Sequence, residues 1–219
     1  MVSKEYIFRF LRDLRKNNSK DWMDEHRDRY ETAKERWIEE VSNILERLSR
    51  HNAEFDRVDP KKTIERINNN LLYHPNKPTY KHHFGCEALG KKGNGTLYIS
   101  IGPSRSFVGG GIHNPSKEDL DNLREAIDYN GEELRKIIDS KDIQDYFGGL
   151  TEDDQKLKTA PRGYDQDHEH IELLRRKDFT VMKQLTEEEV TGDHFIDIVE
   201  EAHLKMRPFN SYLQEALGK

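Results

Sequence analysis

Three short stretches carry side chains that could do chemistry. In "HPNKPTYKHH" (residues 74–83), Lys77, Tyr80 and Lys81 surround two prolines that stiffen the loop. Ammonium groups and a phenol all donate hydrogen bonds, so such a loop can clamp an anion. If the segment is extended, Lys81 and His83 share one face and His82 lies opposite. In "APRGYDQDHEHIELLRR" (residues 160–176), Arg162 precedes Gly163 in a tight loop, and Tyr164, Asp165, Asp167 and His168 follow. Arginine suits a bidentate grip on carboxylate or phosphate. His168 is the candidate proton carrier, with Asp165 to orient it. In "SFVGGGIHNPS" (residues 106–116), Gly109, Gly110 and Gly111 lead towards a helix start. Such a run can cradle an anion through backbone N–H groups, or it can mark a bulge or close approach within a sheet. Neither G-x-G-x-x-G nor G-x-x-x-x-G-K-[ST] surrounds it, so no nucleotide cofactor is implied.

Other chemistries find less support. The spacing D-x-D-H-x-H over residues 165–170 brings potential metal ligands close in sequence. No H-E-x-x-H helix or paired cysteine accompanies it, so no metal site is expected. Cys86 is the single cysteine, which excludes an intrachain disulfide, and it is expected as a buried thiol. No G-x-S-x-G elbow is present for a nucleophilic serine.

The elements that must position these residues follow from periodicity. Ser3 precedes a helical stripe of Tyr6, Ile7, Phe10, Leu11 and Leu14, which Asn17 and Asn18 end. Ser19 opens a long second helix with Trp22, His26, Tyr30, Ala33, Trp37, Val41, Ile44, Leu45 and Leu48 on one face. A short polar turn between them implies an antiparallel hairpin over residues 1–51. From residue 60 the pattern becomes strand-like: "TIERIN", "YKHHFGCEAL", "TLYISIG" and "SFVGGGIH", with turn signals "GKKGNG" and "GPSR". Close spacing favours an antiparallel meander. Ser116 and Asp119 mark a helix start, "GEELRKIID" reads as another helix, and "DIQDYFGGL" ends a third at a glycine pair. A long irregular stretch then leads to a short helix formed by Ile171, Leu173, Leu174 and their neighbours and a strand "DFTVMKQL". Thr186 caps a turn through Glu189, and a last helix is expected from Asp193 to Lys205.

The chain has 219 residues, 36% charged and 33% hydrophobic, with a net charge of −6. The acidic balance argues against general nucleic-acid binding. No run of about 18 apolar residues occurs, and the charged N-terminus lacks a signal-peptide core, so a cytoplasmic protein with no membrane partner is expected. The expected fold class is α+β, with an N-terminal helical hairpin packed on an antiparallel β-sheet and additional C-terminal helices. It forms one domain over residues 1–219, with the sheet and its surrounding helices over 60–219.

Four stretches together resemble a bacterial and fungal family catalogued as domain of unknown function number 2461. They are "FLRDLRKNNSKDWMDEHRDRYETA", "KPTYKHHFG", "SIGPSRSFVGGGIHNPS" and "LKTAPRGYDQDHEHIELLRRKDFTV". The resemblance runs from about residue 4 to residue 213 and implies a single intracellular α+β domain, with no activity to carry over. Arg66, Lys77, Tyr80 and Lys81 match the family's pattern. Asn69, Asn70 and Leu72 stand where Arg, Asp and Arg would be expected, and Thr79 replaces a Pro. This departure favours binding without turnover.

The functional expectation is a pocket for a small anionic ligand, phosphorylated or otherwise, with or without catalysis. Arg66, Lys77, Lys81 and Arg162 would supply its cationic walls, Tyr80, Tyr164 and His168 its hydrogen bonds, and Gly109–Gly111 its floor. The alternative is a non-catalytic scaffold that presents Trp22 and Trp37 on the hairpin face. Exposed aromatics there would favour it.

Overall fold

The computed structural model describes residues 3–88 and 97–218. It is an α+β fold whose strands form one antiparallel sheet in the order β1-β2-β3-β4. The described residues fall into two compact units interleaved along the chain. One draws on Met1–Leu89, Tyr98–Val108 and Gln184–Glu200, and the other on Gly90–Leu97, Gly109–Lys183 and Glu201–Lys219.

The first unit opens with the helical hairpin. α1 (Lys4–Lys16) buries Ile7, Phe8, Phe10, Leu11 and Leu14. Ser19 caps the next helix by accepting from the Trp22 N–H. The single long helix expected from Ser19 is broken at His26 into α2 (Lys20–Glu25) and α3 (Arg27–Ser49). The cause is local. His26 leaves helical geometry at φ −117°, with its ring stacked on Trp22 at 4.3 Å and its Nδ1 2.8 Å from the Trp22 carbonyl, which also accepts the His26 N–H at 3.1 Å. α3 buries Ala33, Trp37, Val41, Ile44, Leu45 and Leu48, and Tyr30 meets Phe84 of the sheet at 6.3 Å. A 3₁₀ turn at Ala53–Arg57 and a short α4 (Pro60–Thr63) lead to the strands.

The strands of the meander are β1 (Phe84–Ala88), β2 (Leu97–Ile101) and β3 (Ser106–Ile112). The turn expected at residues 90–95 lies outside the described residues. The expected strand "TIERIN" is reduced to isolated antiparallel bridges, Ile64 to Cys86 and Asn68 to Tyr80. The two bridges differ in register, with three residues between Ile64 and Asn68 against five between Tyr80 and Cys86, so no continuous ladder joins them. Instead the Asn69 N–H donates to the Thr79 carbonyl, the Asn69 side chain to the Pro78 carbonyl, and the Lys81 N–H to the Ile67 carbonyl. α8 (Glu187–Thr191) also lies in this unit, with a full capping box between Thr186 and Glu189, and so does the start of the last helix, up to Glu200.

In the second unit, Ser116 caps α5 (Lys117–Ile138) as expected. The two helices read from the sequence, one through Ile127 and one at "GEELRKIID", meet at a kink within this span, where Asn130 leaves helical geometry at φ −148°. Gly131 follows, and a Cβ there would collide with the His170 ring. α6 (Lys141–Phe147) ends on left-handed Gly148. An irregular stretch leads to α7 (Ile171–Leu174) and β4 (Phe179–Leu185). The last helix, α9 (Phe195–Ala216), runs well past Lys205 and carries Pro208 inside it. An interior proline costs about 3 kcal/mol. Burial of Phe209 and Leu213 beyond it returns about 1.5–3 kcal/mol each, which keeps the helix going.

Candidate functional site

One side chain of the hairpin joins it to the loop before β1. Asn18 donates its amide to the Tyr80 carbonyl at 2.8 Å and accepts from the Tyr80 N–H at 2.9 Å. This two-point clamp stands in for a missing strand partner. It fixes the backbone just ahead of Lys81, His82 and His83. Gly102, at the β2–β3 turn, closes against the same segment: a Cβ on it would lie 2.8 Å from both the His82 carbonyl and the His83 Cβ. Beside it, Arg15 of α1 donates to the Ser104 hydroxyl at 2.9 Å.

Around this frame the polar groups of the first unit converge. Lys81 pairs with Glu65 at 2.6 Å, both about one-quarter exposed. The Tyr98 hydroxyl donates to the same carboxylate, and burial, with Glu65 beside it, pushes the phenol well above its ordinary range. Gly85 makes room for this group, since a Cβ would lie 2.7 Å from the Tyr98 hydroxyl and 2.9 Å from the Glu65 Oε2. His83 is held below the usual imidazole value, first by burial and then by the Lys81 cation, with Glu65 pulling the other way. His82 is lowered by burial and by Arg15. Their rings meet edge to face at 6.4 Å. Two half-buried imidazoles, neutral at pH 7, therefore stand between a lysine and an arginine. Such groups can take up a proton when an anion arrives.

The other expected residues of this unit play different parts. Tyr80 is 4% exposed and belongs to the core, so its phenol is not a surface donor. Arg66 and Lys77 are exposed on the arm. Within β1, the Cys86 thiol reaches Thr63 Oγ1 at 3.3 Å, and burial raises it to about 11, well above reactive thiols.

In the second unit, Gly109, Gly110 and Gly111 are buried in β3. A Cβ on Gly109 would strike the Val181 carbonyl, and one on Gly111 the Phe179 carbonyl. Gly111 also holds φ +111°. The run serves close strand approach, and no floor for a ligand opens at Gly109 or Gly111. Arg162 is exposed beside Gly163, whose φ is +95°. Tyr164 sits edge-on to His168 at 6.3 Å. The partner of His168 is Asp128 on α5, at 2.9 Å from Nε2, rather than Asp165, whose carbonyl accepts from the His168 N–H. His168 Nδ1 accepts from the His170 N–H at 3.0 Å, so both ring nitrogens are committed. That makes His168 a structural tie and not a free base. No group of three or more His, Cys, Asp or Glu able to hold a metal forms among the described residues.

Sequence reasoning missed Arg15, Ser104 and the clamp residue Asn18, which lie far from Lys81 in the chain. His82 and His83 were visible beside Lys81, and the shared face of Lys81 and His83 was the available signal. On the hairpin, Trp37 is fully buried and Trp22 is half-buried under His26 and Arg29, so the hairpin shows no open aromatic pair.

Fold and site together define an α+β protein in which a clamped loop ahead of the sheet displays cationic and imidazole side chains. Its sequence matches the family described as conserved hypothetical protein (DUF2461) over residues 6–212, and the chain belongs to that family. No curated protein and no solved structure matches it.

Proposed function

We propose that the first unit binds a small anion, a phosphate or carboxylate group of a metabolite, at the face formed by Lys81, His82 and His83 with Arg15 and Ser104 at its rim. The observation that carries this reading is the pair of half-buried imidazoles flanked by Lys81 and Arg15. Glu65 is already taken up by Lys81, and the neutral rings beside Lys81 and Arg15 leave room for the negative charge a bound anion would add. Arg66 and Lys77, exposed on the adjoining arm, add to the attractive field. Where turnover follows binding, His83 is the proton carrier. A single buried thiol fits a reducing compartment, and we take the setting to be the cytoplasm.

The test is a panel of sulfate, phosphate, sugar phosphates, nucleotides and dicarboxylates at constant ionic strength, which separates binding from screening. A ligand that binds only the folded state, at about 100 times its dissociation constant, adds about 2.7 kcal/mol of stability. For a chain of this size that is a rise of roughly 5–10 °C in Tm. The rise should shrink in Arg15→Ala and disappear in the double variant His82→Gln/His83→Gln. If no anion raises Tm, or if the double variant responds like the wild type, the reading is wrong.

A further inference from the structure

We infer that the tip of the arm spanning residues 67–81 docks on an anionic lipid surface, with Leu72 and Tyr73 entering the interface and Lys77 and Arg66 supplying the cationic contacts. Among the described residues five large apolar side chains are exposed, and three of them are consecutive at this tip: Leu71 at 38%, Leu72 at 85% and Tyr73 at 75%. Single exposed apolar residues are ordinary, but three in a row on a projecting loop are not. Every residue from 70 to 78 is exposed. The arm is nonetheless held in shape by the Asn69–Thr79 and Lys81–Ile67 backbone bonds and anchored at its base by Asn18.

Charge points to the same occupant. The chain holds 42 acidic residues, yet none lies between Glu65 and Glu87. Within that stretch stand Arg66, Lys77 and Lys81, and among the described residues neither Arg66 nor Lys77 makes an ion pair. An otherwise acidic protein thus presents its apolar tip inside a segment that an anionic surface would not repel.

Size decides between lipid and protein. A specific protein interface needs roughly 800 Å² from each partner, more than three side chains can supply. A bilayer demands no matching surface. Leucine and tyrosine partition into its interface, and each nearby lysine or arginine adds attraction to anionic headgroups. Docking of this kind needs no spanning helix, and no described helix is long and apolar enough to cross a membrane.

The experiment is flotation of the full chain with phosphatidylcholine vesicles, with and without phosphatidylglycerol. The wild type should float only with the anionic vesicles, and less so as salt rises. The double variant Leu72→Ser/Tyr73→Ser should lose at least about tenfold in partitioning. Lys77→Ala should lose about fivefold. Both sites are exposed, so circular dichroism should confirm an unchanged fold. His83→Gln, which weakens the small-anion face, should float as the wild type does, so the two readings stand or fall separately. No flotation with anionic vesicles would overturn the inference. So would equal flotation with both vesicle types, or flotation that His83→Gln abolishes and Leu72→Ser/Tyr73→Ser leaves intact. A concentration-dependent rise in mass without vesicles, removed by the tip variant, would assign the tip to a second copy of the chain and equally overturn it.

Discussion

Acidification should tighten anion binding at the Lys81–His83 face while it weakens the empty protein, and the two opposed trends come from the same imidazoles. His82 and His83 are both held below the ordinary value of 6.5, by burial first and then by Arg15 and Lys81 respectively. In the empty protein they are neutral where an unfolded chain would already be protonated. Their contribution to stability is therefore complete above 6.5 and is lost as pH falls towards and through the folded-state values. A bound anion reverses the preference, because it stabilises the imidazolium form. Two unit charges about 4 Å apart at an effective dielectric of about 20 attract by about 4 kcal/mol. The face is open to water and Lys81 stays close, so a net gain of about 1.4 kcal/mol, a factor of about ten in affinity, is the working expectation. Sulfate is the probe of choice because its own charge is constant across the range. Titration calorimetry between about pH 5.5 and about pH 8 should show affinity falling as pH rises, by no more than one decade per pH unit per histidine. Repeating it in buffers of different ionisation heat should show proton uptake on binding. His83→Gln should flatten the profile, and His82→Gln should remove what remains. A sulfate affinity that is flat with pH, or that rises with it, would refute the reasoning even if sulfate binds.

Three further outcomes follow from the packing. Asn18→Ala removes both bonds to the Tyr80 backbone and should cost about 1–3 kcal/mol, together with loss of sulfate binding; urea melts and calorimetry read the two effects. Gly85→Ala should cost about 1–3 kcal/mol, because its Cβ meets the Tyr98 hydroxyl and the Glu65 carboxylate, and it should free Lys81 from its present partner. Gly111→Ala should be far more damaging than Gly163→Ala. Both hold positive φ, but a Cβ on Gly111 strikes the Phe179 carbonyl whereas one on Gly163 meets nothing within 4 Å; the second should cost only about 1 kcal/mol on a thermal melt.

What could be read from the sequence was mostly what is encoded within a few residues. The caps at Ser116, Thr186 and Gly148 are local bargains between one side chain or one φ angle and a helix end, and they stand where their residue types imply. The hairpin stripe works the same way, through repeated apolar burial. The misreadings occur where two local signals compete. The apolar period runs unbroken through His26, but a ring stacked on Trp22 and bonded to its carbonyl wins there. At Pro208 the proline signal loses to the apolar face that continues beyond it. The "TIERIN" strand fails because its two bridges differ in register, with three residues between Ile64 and Asn68 against five between Tyr80 and Cys86, a mismatch set by the partner segment.

The site depends on ties that have no period at all. Lys81 could be singled out from its loop, but the face around it is assembled by Asn18 across 62 residues and by Arg15 reaching Ser104 across 89. A side-chain amide that replaces a strand partner leaves no pattern in either neighbourhood. His168 shows the converse. Its setting of Arg, Tyr and Asp looks catalytic in sequence, yet the His170 N–H, only two residues on, takes one ring nitrogen, and Asp128, forty residues back, takes the other. His83 has the plainer setting, and among the described residues no hydrogen bond ties its ring; that difference, invisible to residue type, is why we propose His83 as the proton carrier.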